Sequence, residues 1–293
     1  MVTELAAILL PVFCLAAVGY GWRLLGMPFE REFVTRLIMN VSAPCLIVDS
    51  LASVDLPLEE FVTMLLAAAT LLAVVGAVSF VALRVLGLSV RAYLPSVALG
   101  NTGNMGLPLC LFAFGEPGLA LGIAVYVLNS VGQFTLTPLV QSGERALRTL
   151  ASTPVVYGAI VGMAVLASGA PLPQWLGSTV GLLGDLLIPL MLLALGHTLG
   201  GLRVRRVPFA LGLSALRLVV AFAASLAVSE LFGLSGIARG VLVLQGVMPA
   251  AVFNYLFAER YGREPEDVAG IVLVSTLLTA ALLPLIVAYA LTL

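Results

Sequence analysis

Two short stretches combine helix-breaking residues with neutral polar side chains inside otherwise apolar sequence. Residues 100–108 read GNTGNMGLP, and residues 245–254 read QGVMPAAVFN. Glycine loosens a helix, and proline removes a backbone donor and clashes with the preceding turn, so each stretch predicts a broken helix. The free N–H groups at the start of a helix attract an anion. The predicted chemistry is therefore anion binding by helix ends, amides and hydroxyls. The alternative is a proline kink with close packing of helices on small residues.

The candidate substrate-binding residues are Asn101, Thr102, Asn104, Pro108, Asn129, Gln133, Gln245, Pro249 and Asn254. Asn129 and Gln133 lie four residues apart in an apolar span, and therefore on one face of a helix. An amide in hydrocarbon is costly without a partner. These two side chains therefore either line a cavity beside the first break, or form hydrogen bonds between helices, or cap carbonyls that the break frees. Gln245 and Asn254, on either side of Pro249, either belong to the site or satisfy freed backbone groups.

One carboxyl group lies near the centre of an apolar span. Asp185 stands four residues before Pro189, as Asn40 stands four residues before Pro44. An ionisable residue at that depth is a candidate functional group. We predict that Asp185 is the candidate for carrying a coupling proton; the alternative is a protonated or paired structural aspartate. Asp49 is expected to be solvated near the end of its span.

Two basic side chains in apolar segments have more ordinary interpretations. Arg217 either extends toward the membrane surface or counters a charge inside the protein. His197, the single histidine, is expected at the surface near the end of its span. Neither proline stretch contains arginine or lysine, so the anion is expected to be held by neutral groups and helix dipoles.

The composition predicts a polytopic helical membrane protein. The chain has 293 residues, of which 61% are hydrophobic and 10% charged, and its mean hydropathy is +1.15. Apolar runs of about 20 residues, long enough to cross a bilayer, recur throughout. Ten spans are predicted at 4–24, 32–53, 61–84, 92–114, 117–140, 153–169, 175–199, 207–231, 236–258 and 267–291.

The arginines predict the orientation of these spans. All 14 basic residues are arginine; twelve lie in or beside the odd-numbered loops, while Arg239 is alone in the even loops and termini. Arg217 lies within span 8. Because basic residues are enriched in cytoplasmic loops, the odd loops are predicted to be cytoplasmic and both termini to lie outside the cell membrane.

The two halves of the chain carry corresponding prolines and glycines. The pairs are Pro11 and Pro154, Gly19 and Gly162, Pro28 and Pro171, Pro44 and Pro189, Pro108 and Pro249, Pro117 and Pro265, and Pro138 and Pro284. This pattern predicts a five-span repeat over 1–140, a cytoplasmic linker over 141–152, and a second repeat over 153–293. Because five is odd, the second copy is inverted. Inverted repeats are typical of carriers, whose site lies where the repeats meet.

The stretches GNTGNMGLPLCLFAFGEPG and VLQGVMPAAVFNYLFAERYG resemble the auxin efflux carrier family, which includes plant auxin exporters and bacterial organic-acid carriers. NVSAPCLIVDSLASV and IPLMLLALGHTLGG resemble it too, and the resemblance covers essentially the whole chain. It implies an all-α fold of ten helices in which spans 4 and 9 are broken and cross. It also implies a scaffold of spans 1, 2, 6 and 7 that forms a homodimer, elevator-type motion of the other spans, carboxylate substrates, and a polar residue of span 5 in the site.

The sequence argues against several other classes. The GLLGD sequence ending at Asp185 departs from the GxGD motif of intramembrane aspartyl proteases, and no P-loop is present. Rings of charged residues, typical of ion channels, are absent. We therefore predict a carrier of organic anions that is embedded in lipid, is not an enzyme, and uses no cofactor, metal or nucleic acid. The alternative is a sodium-coupled symporter of the bile-acid type.

Overall fold

The computed structural model describes residues 2–143 and 153–293, and this part of the chain is helical. The helices are α1 (Val2–Leu24), α2 (Arg31–Leu37), α3 (Ala43–Ser53), α4 (Leu58–Val85), α5 (Val90–Ala98), α6 (Leu107–Ser142), α7 (Pro154–Ser168), α8 (Gln174–Asp185), α9 (Leu187–Leu199), α10 (Val207–Leu231), α11 (Gly236–Gly246), α12 (Val252–Tyr261) and α13 (Pro265–Ala290). Two π-helical segments, Ile38–Ser42 and Thr102–Gly106, precede α3 and α6.

Several of these helices have the length and composition of membrane spans. Among the described residues, seven helical stretches are long and apolar enough to cross a bilayer, and the apolar helix α7 is shorter. Since water cannot satisfy backbone groups within a bilayer, a helical chain with several such stretches fits a polytopic membrane protein.

Helix α6 is bent where predicted spans 4 and 5 meet. Gly115 has φ 68° and ψ −160°, a conformation that is essentially restricted to glycine. Pro117 follows in the next turn. The two predicted spans are therefore two helical segments of α6 that meet at a sharp change of direction at Gly115.

The helices pack in two groups. In the first group, which we call the scaffold group (α1–α3 and α7–α9), α1 packs against α9, and α3 packs against α7 and α8. In the second, the crossover group (α4–α6 and α10–α13), α4 packs against α6 and α10, α10 packs against α13, and α11 packs against α6. Contacts between the groups are fewer and involve mainly α6 and the π segment before it.

Glycines allow the backbones of the scaffold group to touch. A Cβ on Gly19 of α1 would lie 2.0 Å from the carbonyl oxygen of Leu193 in α9. A Cβ on Gly158 of α7 would lie 2.7 Å from the Cα atom of Pro44 in α3. Small residues at such positions let membrane helices approach closely.

The predicted linker 141–152 lies mostly outside the described residues. Helix α6 ends at Ser142, and Gly143 caps it in a left-handed conformation with φ 82°. Residues 144–152, including Arg145 and Arg148, are not described.

Candidate substrate site at the crossover

Two helix breaks lie in contact with each other. The first separates α5 from the π segment that begins at Thr102, and the second separates α11 from α12. The Asn101 N–H donates to the Pro249 carbonyl at 2.7 Å, and the Ala251 N–H donates to the Leu99 carbonyl at 3.2 Å. Two segments about 150 residues apart in the chain thus pair in an antiparallel bridge at the place where each leaves its helix. We call this place the crossover.

A new helix begins immediately after each break. The π segment starts at Thr102, and α12 starts at Val252. The first N–H groups of a helix have no intrahelical partner and carry the positive end of its dipole. Both helix starts therefore present donors near the crossover, which is the feature that the glycine and proline pattern predicts.

A small cavity of about 30 Å³, the crossover cavity, lies beside the breaks. Five of the nine predicted binding residues line it: Asn101, Thr102, Asn104, Asn129 and Gln133. Its other walls come from α9, through Met191, and from the start of α12, through Ala251 and Phe253. The fold thus brings residues of spans 4 and 5 to the partner break in span 9.

Four buried polar atoms of this lining have no hydrogen-bond partner among the described residues. They are Asn101 Nδ2, Thr102 Oγ1, Tyr126 Oη and Gln133 Oε1. All four side chains are buried. An unpaired buried polar group carries a desolvation cost. An amide N–H and a hydroxyl are donors that a carboxylate oxygen can accept from, so the cavity suits a small anion better than a cation.

Asn129 holds the backbone of the first break. Its Nδ2 donates to the Gly100 carbonyl at 2.8 Å, and its Oδ1 accepts from the Gly100 N–H at 3.2 Å. Both functions of its amide group are therefore engaged by backbone groups that the break frees. Asn129 lines the cavity and caps the break at once, so these two interpretations of this residue both apply.

Gln133 and Asn254 connect the two breaks. Gln133 Nε2 donates to Asn254 Oδ1 at 2.9 Å, and Asn254 Nδ2 donates to the Leu99 carbonyl at 3.2 Å. Asn254 is fully buried behind the cavity wall and does not line the cavity. Asn254 therefore stabilises the first break.

The remaining predicted site residues lie around the crossover and not in the cavity. Pro249 supplies the carbonyl that accepts from Asn101, and Pro108 is buried in the first turn of α6. Gln245 lies on the other face of the crossover, where its Nε2 donates to the Gly122 carbonyl at 3.4 Å. It lines a second cavity of about 30 Å³.

A larger cavity of about 340 Å³, the vestibule, lies next to the crossover cavity. The two share Asn104 and Phe253 in their walls. The vestibule is lined by α2 and α9 of the scaffold group and by α12 of the crossover group. Exposed Arg31 and Arg36 add positive charge to its wall, although Arg36 also pairs with Glu32.

A family model described as "Membrane transport protein" matches residues 137–287, just over half of the chain. The chain belongs to this membrane transport family, that of the auxin efflux carriers. A family member is a membrane transporter and not an enzyme, which confirms two predictions made from the sequence.

Curated relatives are also named as transporters. An uncharacterized transporter of Methanothermobacter thermautotrophicus is 27% identical over 289 residues, covering 94% of this chain and 95% of that protein. An uncharacterized transporter of Methanocaldococcus jannaschii is 25% identical over 188 residues, covering 61% of each chain. A Rhizobium meliloti protein named "Putative malonate transporter" is 26% identical over 306 aligned positions, covering 95% of this chain and 93% of that protein.

In this membrane transport family member, Arg217 is the residue at the crossover that sequence reasoning did not assign to the site. It does not extend to the membrane surface, because its side chain is buried, with 3% exposed. It faces the second cavity together with Gln245 and donates to carbonyls of both broken helices. The sequence signal that could have assigned Arg217 to the site is its position as an ionisable residue in the middle of an apolar span. The proline stretches themselves contain no basic residue.

Asp185 lies away from the crossover. It ends α8, is exposed, and interacts electrostatically with Asp49 of α3. The partly buried Asp49 carboxyl lies against α8, with Oδ1 3.4 Å from the Cβ position of Gly181. Both carboxyl groups therefore lie on the scaffold group, away from the residues that line the crossover cavity.

The expectation of a surface histidine is wrong. His197 is buried, with 3% exposed, and its ring stacks on Phe29 at 4.4 Å between ring centroids. Phe29 in turn lines the vestibule. The segment before α2 folds back over the end of α9 and covers the imidazole, a contact that local hydropathy does not predict.

Proposed function

We propose that this transporter is a secondary active carrier of small organic anions, specifically carboxylates, across the cell membrane. The observation that carries the proposal is the crossover cavity, where helix starts and the unpartnered donors of Asn101 and Thr102 face one small space. A vestibule with arginines in its wall adjoins that space and would attract an anion toward it.

A small dicarboxylate is the substrate class that we favour. The crossover cavity of about 30 Å³ is small, while the adjoining vestibule of about 340 Å³ offers additional room. One carboxylate would bind the helix starts, and the second would lie toward Arg31 and Arg36. The name of the Rhizobium meliloti relative, which refers to malonate, points to the same class.

The proposed architecture is ten spans in two inverted repeats. Corresponding features support it: a π segment precedes Pro44 in span 2, and a helix interruption at Leu186 precedes Pro189 in span 7. The contact of span 1 with span 7 corresponds to the contact of span 6 with span 2. Gly19 and Gly162, paired by sequence, each approach the partner helix in those contacts.

An elevator-type motion fits the two groups of helices. The crossover group holds both broken helices, and contacts between the groups are fewer than contacts within them. Because walls of the vestibule come from both groups, movement of the crossover group along the scaffold group would open the site to either side. We further propose that both termini lie outside and that the scaffold group forms a homodimer.

A thermal-shift screen of purified protein tests the proposed function. A ligand that binds only the folded state raises the unfolding midpoint by mass action. We expect malonate and other small dicarboxylates to raise the midpoint in proportion to the logarithm of their concentration, while the matched amide malonamide does not. If no mono- or dicarboxylate raises the midpoint above the effect of chloride at equal ionic strength, the proposal is wrong.

A sodium-coupled symporter of the bile-acid type is the second candidate. It shares the broken-helix arrangement and differs in requiring a sodium site beside the crossover. The groups on the second face of the crossover bear directly on this alternative.

A further inference from the structure

Arg217 lies on the face of the crossover opposite the proposed anion site. Its Nε and one terminal nitrogen donate to the Met248 carbonyl at 2.9 and 2.7 Å, and the other terminal nitrogen donates to the Val97 carbonyl at 2.7 Å. Among the described residues, no carboxylate lies within ion-pair distance of it. The charge is therefore balanced by backbone dipoles and not by an acid.

The two carbonyls belong to the C-terminal ends of the broken helices. Val97 is the next-to-last residue of α5, and Met248 lies two residues beyond the end of α11. Carbonyls at a helix end have no intrahelical donor and carry the negative end of the dipole. In carriers with broken helices, such ends coordinate Na⁺. The crossover thus has an anion-attracting face and a cation-attracting face.

A further unpartnered oxygen belongs to the cavity that Arg217 faces. Gln245 lines this space of about 30 Å³, its side chain is buried, and its Oε1 has no partner among the described residues. A neutral amide oxygen and helix-end carbonyls are the kinds of ligand that a cation site uses. The Arg217 guanidinium group already occupies the part of such a site that the Val97 and Met248 carbonyls form.

The backbone next to the guanidinium group is also matched to it. A Cβ on Gly100 would lie 2.5 Å from a terminal nitrogen of Arg217. Glycine at this position therefore does more than loosen the helix, because any other residue would displace the arginine from its carbonyls.

We propose that Arg217 is a built-in cation that occupies a carbonyl site in which a sodium-coupled carrier would hold Na⁺, so that this transporter neither binds nor requires Na⁺ at the crossover. The inference rests on the proposed carrier function and excludes its sodium-coupled alternative at this site. The same fixed charge lies across Gly100 from the anion cavity and adds a permanent positive potential there, in place of a co-transported Na⁺.

The test measures Na⁺ binding directly. The unfolding midpoint of purified protein without carboxylate is compared in NaCl and in N-methyl-D-glucamine chloride at equal ionic strength. We expect the wild type to have the same midpoint in both salts. Arg217→Ser removes the guanidinium group and leaves the carbonyls, so Na⁺ should raise its midpoint by about 3–5 °C at tenfold excess over the dissociation constant.

Arg239→Ser is the matched control. Arg239 lies on α11 of the same group, pairs with Glu230 near the end of α10, and is remote from the carbonyl site. We expect this variant to respond to neither salt. Arg217→Lys retains a positive charge in the site and should also be insensitive to Na⁺.

Two results overturn the inference. One is a wild-type midpoint or uptake rate that rises specifically with Na⁺. The other is a folded Arg217→Ser protein that does not respond to Na⁺. If Arg217→Ser does not fold, the test uses the wild type and Arg217→Lys. A rise of either midpoint with Na⁺ contradicts the inference that a side-chain cation already occupies the carbonyl site. These measurements contain no carboxylate, so failure of the carboxylate screen would refute the proposed function separately.

Discussion

At the residue scale, Asn104 is the predicted binding residue that lines both the crossover cavity and the vestibule. It is partly exposed. Asn129 and Asn254, by contrast, use their amide groups to hold backbone groups of the first break. Asn104 therefore faces the open space, Asn254 stabilises a wall, and Asn129 does both.

Asn104→Ala should weaken carboxylate binding by about three- to tenfold, because one neutral hydrogen bond contributes roughly 0.5–1.5 kcal/mol net. The unfolding midpoint without ligand should change little. Isothermal titration calorimetry with malonate measures the affinity. Asn40→Ala, at an exposed asparagine in the other π segment, is the control and should bind like the wild type. An unchanged affinity in Asn104→Ala would remove this residue from the site.

Asp185 is a candidate for coupling and not for binding. Because Asp185 ends α8 on the scaffold group and does not line the crossover cavity, Asp185→Asn should leave carboxylate affinity within about twofold of the wild type. If this carboxyl carries a coupling proton, the variant should also lose the pH dependence of uptake into liposomes. Asp55→Asn, in an exposed turn, is the control. An unchanged pH profile would assign Asp185 a structural role.

At the element scale, Pro249 stands in the second break, and Pro108 follows the π segment of the first. Each lacks the N–H group that a continuous helix would use. Pro249→Ala restores a donor and allows α11 to extend toward α12, which would remove the helix start at Val252. We expect affinity for malonate to fall more than tenfold in Pro249→Ala and Pro108→Ala, beyond the effect of Asn104→Ala. Pro284→Ala, inside α13, is the control. If both crossover variants bind like the wild type, the crossover is only a packing kink.

Contact between α1 and α9 depends on single glycines. Gly19→Ala would place a Cβ 2.0 Å from a backbone carbonyl of α9, so the helices must separate. Such overpacking costs roughly 1–3 kcal/mol, and we expect the unfolding midpoint to fall by several degrees. Gly21→Ala, two residues along, has no atom within 4 Å of its Cβ position. Its midpoint should stay the same or rise, since alanine favours helix. Equal midpoints would contradict the close approach.

At the scale of the whole molecule, the arginine distribution predicts the orientation. In a cysteine-free background that lacks Cys14, Cys45 and Cys110, Leu293→Cys should react with a membrane-impermeant maleimide added outside intact cells. Arg203→Cys, in the loop before α10, should react only after the membrane is opened. A C-terminus that is labelled only from inside would contradict both the ten-span topology and the inverted repeat.

Local sequence properties predicted a polytopic helical protein and the bounds of individual helices. The predicted span 207–231 coincides with α10, and the predicted interruptions at Gly100–Pro108 and around Pro249 appear where glycine and proline stand. Apolar length and backbone breaking are properties of a few neighbouring residues, so they can be read without knowledge of the fold. The nine candidate binding residues followed from the same patterns.

Tertiary structure alone decided which of those residues face the same space. Three contacts join residues that are far apart in the chain. Asn101 pairs with Pro249, and His197 is buried beneath Phe29. Arg217 lies between the carbonyls of Val97 and Met248. A polar residue in an apolar span must find a partner, and the sequence establishes that requirement. Which partner it finds depends on how distant helices pack, because hydropathy and spacing carry no information on which broken ends will meet.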